Sequence, residues 1–112
     1  MVVADIRRSN LSFFVLFMII NFEQVHNYFE RLVFEEVARL ADSHPAYSAD
    51  MLADVSCVAL NRLPARYVRH DVDMMFYLTE QERDAIDNSL NEALSFAFDF
   101  VGERTAKRTS LV

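Results

Sequence analysis

The chain has 112 residues, 53% of them hydrophobic and 25% charged, with one Gly, two Pro and one Cys. That suffices for one modest core, is too apolar for a disordered segment and too poor in turn residues for a many-stranded sheet. The 17 acidic and 11 basic side chains leave a formal charge of −6, which disfavours indiscriminate nucleic-acid binding, so no DNA partner is expected.

In chain order, "LSFFVLFMII" comes first, an apolar run broken only by Ser12 and preceded by Arg7 and Arg8. A spanning helix needs ~20 apolar residues, so the run falls short. It has the charged and apolar regions of a signal peptide, but no small-x-small cleavage site follows. Residues 1–20 are therefore read as a hydrophobic extension with three possible fates: a helix packed on a partner, an uncleaved anchor, or an upstream addition to a domain that starts at Met18. The last is favoured, because the regular patterning begins just beyond that methionine.

Asn21 and Gln24 have the spacing of a capping box. Val25, Phe29, Leu32, Val33, Val37 and Leu40 then recur at three- and four-residue steps, which predicts an amphipathic helix to about Asp42. Pro45 marks a loop, and Ser48 can cap a second helix carrying Met51, Leu52, Val55, Val58, Ala59 and Leu63, stopped by Pro64. Tyr67 and Val68 favour a short strand, whereas "DVDMMFYL" suits either a strand or a helical turn. Thr79 and Glu82 form a second capping box. It opens a third helix with Ile86, Leu90, Ala93, Leu94, Ala97 and Val101 on one face, and Gly102 stands where a left-handed cap belongs. Residues 103–112 read as a polar, frayed tail.

These elements predict a mainly α, compact helical domain over residues 21–102, with one short β-strand per subunit. A lone strand leaves its backbone groups unpaired, and Phe76, Tyr77, Phe96, Phe98 and Phe100 exceed what one narrow stripe can bury. A homodimer whose strands pair across a two-fold axis answers both points.

Three arginines and a histidine fall in "ALNRLPARYVRH", residues 59–70, with no acid among them; without those arginines the chain counts 8 basic against 17 acidic side chains, a formal −9. The segments "VHNYFERLVFEEV" and "DVSCVALNRLPARYV", with the closing long helix, resemble in order and spacing the ComFB family, named for late competence development. The resemblance covers about residues 21–102. It implies a mostly helical bacterial homodimer with a short strand after the L-N-x-L-P segment. Some members bind zinc through clustered cysteines; here Ala46, Ser48 and Met51 stand roughly at those places, so no zinc or other cofactor is expected. Other members are receptors for the cyclic dinucleotides c-di-GMP or c-di-AMP.

Such a ligand offers two phosphates and two purine faces. Arginine suits both, by bidentate pairing and by stacking. Arg62, Arg66 and Arg69 are therefore candidate ligand-binding residues, with Tyr67 as a stacking face and Asn61 and His70 flanking them. The competing reading is a solvated segment whose arginines pair with Asp71 and Asp73.

The "HDVD" cluster at residues 70–73 resembles metal ligation, but so short a motif reads better as exposed charge. Cys57, the only thiol, is expected to be a buried small hydrophobe in a reducing cytoplasm. No nucleophile, phosphate-loop or paired acid–base pattern appears, so the expected function is non-enzymatic. Two readings follow: a signalling receptor that binds a cyclic dinucleotide as a homodimer and acts on a downstream protein, or a competence-type adaptor dimer that binds another protein and no small ligand.

Overall fold

The computed structural model describes residues 10–110, and the outermost residues at either end lie outside this account. Five α-helices and one two-stranded antiparallel sheet make up the described chain: α1 (Asn10–Ile19), β1 (His26–Asn27), α2 (Phe29–Leu40), α3 (Ala49–Arg62), β2 (Tyr67–Val68), α4 (Val72–Tyr77) and α5 (Glu80–Ser110). Short 3-10 turns sit at Phe22–Gln24 and Ala41–Ser43. The expected mainly α class holds.

The core is the seam where α2, α3 and α5 meet. Helix α2 contributes Phe29, Val33 and Val37; α3 contributes Val55 and Ala59, with Leu63 just past its end; α5 contributes Ala93, Leu94, Ala97, Phe98 and Val101. These are the one-sided stripes read from the sequence, joined by Phe98, which was expected to exceed the α5 stripe and is instead buried within the subunit. Val33 and Val55 are fully buried, each worth roughly 1.5–3 kcal/mol over an exposed side chain.

The helix ends follow local chemistry. Ser48 accepts a hydrogen bond from the Met51 N–H at 3.2 Å and starts α3. Pro64 holds Leu63 in an extended conformation, φ −94° and ψ 141°, and α3 stops at Arg62. At the head of α5 the Thr79 N–H donates to Glu82 and the Glu82 N–H donates to Thr79 Oγ1, both at 3.1 Å. "DVDMMFYL" resolves into the short helix α4, which buries only Met74.

Four expectations need correction. The β2 strand is not alone: it pairs with β1 of the same chain, His26 opposite Val68 and Asn27 opposite Tyr67. Its inner edge is paired within one subunit, so the strand no longer lacks a partner and does not by itself call for pairing across a two-fold. Asn21 makes no side-chain cap, and α2 starts seven residues later than that box implied, because residues 26–27 are drawn into the sheet. Val25 consequently falls outside the helix and is exposed.

The third correction concerns Gly102, which is no cap. No described residue has a positive φ, and α5 continues through Gly102 to Ser110, so residues 103–110 are helix and not a frayed tail. Lastly, Cys57 is exposed. Helix α3 turns Val55, Ser56 and Ala59 inward, and that rotation carries Cys57 away from the seam.

Candidate ligand-binding site around Arg66

The arginine-rich segment runs off the end of α3, through the Pro64 turn and into β2. Its anchor is Asn27, a buried polar residue on the paired strand. Asn27 Oδ1 accepts from the Phe29 N–H at 3.3 Å and from the Arg66 N–H at 3.0 Å. The Tyr28 N–H donates to the Arg66 carbonyl at 2.7 Å. Both backbone groups of Arg66 are thus fixed, and its side chain projects from a rigid clip.

A second tie lies beside the clip. Both ring nitrogens of His26 face oxygens, Nδ1 at 2.7 Å from the Gln24 carbonyl and Nε2 at 2.6 Å from Asp71 Oδ1. Only the doubly protonated ring can donate to both, and the bond to Asp71, reinforced by that to Gln24, raises the His26 pKa above its ordinary value. Arg31 approaches the other Asp71 oxygen at 3.8 Å. Asp71 is therefore engaged by His26 and Arg31 rather than by the arginine segment.

The candidates do not all converge. The Arg62 guanidinium lies 3.7 Å from the ring centroid of Phe96. Phe96 stacks on Phe100 at 5.6 Å, and Arg104 covers Phe100 at 5.5 Å. Arg62 is thus one end of a cation–aromatic stack along α5. Arg66 instead lines an open groove of about 360 Å³ with Phe29, Pro64, Ala65, Ala85, Ile86 and Ser89. Tyr67 is 69% exposed, and Asn61, Arg69 and His70 are exposed as well. Among the described residues, the Arg66 and Arg69 side chains make no hydrogen bond or ion pair.

Asn27 and His26, which hold the segment in place, escaped sequence reasoning. The available signal for Asn27 was a side-chain acceptor two residues before the first buried position of α2, the spacing of an Asx turn. Nothing local reveals its bond to Arg66, 39 residues away. Among the described residues no three His, Cys, Asp or Glu side chains are grouped as metal ligands.

A family model described as late competence development protein ComFB matches residues 26–105. The chain belongs to the ComFB family. Searches of curated proteins and of solved structures gave no match. The ComFB match begins at β1 and ends within α5, taking in the Asn27 clip, the arginine segment and the three-helix seam. Helix α1 lies outside it.

Proposed function

We propose that this ComFB-family chain is a non-enzymatic regulatory receptor that binds a cyclic dinucleotide, c-di-GMP or c-di-AMP, as a homodimer and passes its occupancy to a protein partner. The observation that carries the reading is the pair of guanidinium groups, Arg66 and Arg69, that lack an internal acid and flank the exposed ring of Tyr67. In a chain with a net charge of −6, two such cations on a rigid clip form a preorganised receptor for a compact dianion. The groove beside Arg66 falls in the range of small-molecule sites, roughly 300–1,000 Å³, and supplies apolar walls for a base. With Arg62 occupied by Phe96, binding rests on Arg66, Tyr67 and Arg69. A two-fold symmetric ligand suits two such clips brought together in a dimer.

Isothermal titration with both dinucleotides tests this. A charge-assisted hydrogen bond is worth about 1.5–3 kcal/mol, or roughly tenfold to a hundredfold in affinity. Arg66→Ala should weaken binding by at least tenfold while the protein stays folded. Arg66→Lys should recover only part of the loss, because an ammonium lacks the bidentate, stacking fork. Arg39→Ala is the charge-matched control, since Arg39 is already paired with Glu36 on α2. Absence of binding to either dinucleotide by the wild type overturns the receptor reading. The adaptor reading then stands in its place, favoured by the exposed Val72, Met75, Phe76 and Tyr77 on α4.

A further inference from the structure

Helix α1 is apolar on every side. Phe13, Phe14, Val15, Phe17, Met18 and Ile19 are 47% to 86% exposed. At 100° per residue these positions, with Leu16, are distributed around the whole circumference of the helix. Its aromatic contacts stay local, Phe13 with Phe14 and Phe17, and Phe17 with Phe22. A helix hydrophobic all round belongs in an apolar surrounding. A docked helix or a second copy of this chain covers one face and leaves the opposite face in water. Lipid chains cover every face at once.

Length and charge narrow the geometry. Ten residues make a helix of ~15 Å, half the ~30 Å hydrocarbon thickness; no described helix is long and apolar enough to cross a membrane. In the sequence, polar residues flank the apolar run: Arg7, Arg8, Ser9 and Asn10 before it, Asn21 and Glu23 after it. Both flanks favour the headgroup level, so the helix lies along the membrane plane. Amphipathic interfacial helices sink ~5–10 Å and keep a polar face toward water; α1 has no such face, so its ~10 Å diameter is taken up wholly within one leaflet, ~15 Å of hydrocarbon. Arg7 and Arg8 favour anionic headgroups, and the acidic remainder of the chain is repelled by them. We infer that α1 is a monotopic membrane anchor, immersed in one leaflet of an anionic lipid surface, that tethers the ComFB domain there.

The test is co-sedimentation of the full chain with sucrose-loaded vesicles, one set of phosphatidylcholine and one containing a quarter phosphatidylglycerol. The wild type should pellet with both sets and more with the anionic one. Phe14→Asp combined with Ile19→Asp places a carboxylate on two sides of α1 and should reduce binding at least tenfold, with an unchanged circular dichroism melt. Arg7→Ala combined with Arg8→Ala should remove the preference for anionic vesicles. The natural chain has no Trp, so Phe14→Trp is a clean reporter whose emission should shift to the blue on adding vesicles. Wild type that stays in the supernatant with both vesicle sets overturns the inference. So does a Phe14→Trp emission that shifts without lipid and is reversed by Ile19→Asp, which would mean a second copy covers the helix.

Discussion

At the scale of single residues, Gly102 gains a role its position in the sequence does not suggest. It sits inside α5 where the Tyr47 side chain crosses, and a Cβ there would collide with the Tyr47 hydroxyl. That hydroxyl donates to the Phe98 carbonyl at 2.6 Å, tying the α2–α3 loop to α5. Alanine normally improves a helix interior by about 0.5–1 kcal/mol over glycine. Gly102→Ala should instead destabilise by about 1 kcal/mol, because displacing Tyr47 loses a hydrogen bond and packing. In a Tyr47→Phe background the same change should cost less or become favourable, and urea denaturation of the four proteins measures the difference. His26 makes a second prediction. Its folded pKa is raised above 6.5, first through Asp71, so its stabilisation is complete below that value and disappears as pH rises through the higher folded pKa. The denaturation midpoint should therefore fall over that window in the wild type, and His26→Gln should flatten the dependence.

At the scale of elements, legibility tracks the range of the forces. Ser48, Pro64 and the Thr79–Glu82 box act within three residues of themselves, and each sets a helix boundary where the sequence placed it. The buried stripes of α2, α3 and α5, Phe98 apart, follow from periodicity. What failed was non-local. The Asn21–Gln24 spacing is a sound local cap, but pairing of His26–Asn27 with Tyr67–Val68 overrides it. Gly102 resembles a terminator until Tyr47, distant in sequence, explains it. The candidate site shows the same division: the arginines were visible as a charge anomaly, whereas the diversion of Arg62 onto Phe96 depends on helix packing.

At the scale of the whole molecule, the Cα radius of gyration is 19.3 Å and the extents are 59 × 42 × 19 Å. A compact domain of this length has a radius near 13 Å. The excess reflects α1 and the length of α5, whose 31 residues extend ~46 Å. On α4, Phe76 and Tyr77 are 81% and 78% exposed. With β2 already paired to β1, these exposed aromatics are what motivate the proposed homodimer. Sedimentation of a variant carrying Phe14→Asp and Ile19→Asp should still give about twice the monomer mass of 13.0 kDa, because α4 remains available as an interface. A clean monomer at micromolar concentration would count against both the dimer and a two-fold ligand site.

The Asn27 clip also bears on how the chain reaches this structure. Asn27 and Arg66 are joined across 39 residues, so closing the clip costs loop entropy that the helical seam can offset only once it has largely assembled. The clip should therefore close after the rate-limiting barrier. Asn27→Ala leaves two backbone donors without their acceptor, at a cost of about 1–3 kcal/mol. In stopped-flow chevrons that loss should appear chiefly as faster unfolding with the refolding arm nearly unchanged, whereas Val55→Ala in the seam should slow refolding. By this account, the segment bearing the candidate ligand-binding arginines is the last part of the domain to fold and the first to open.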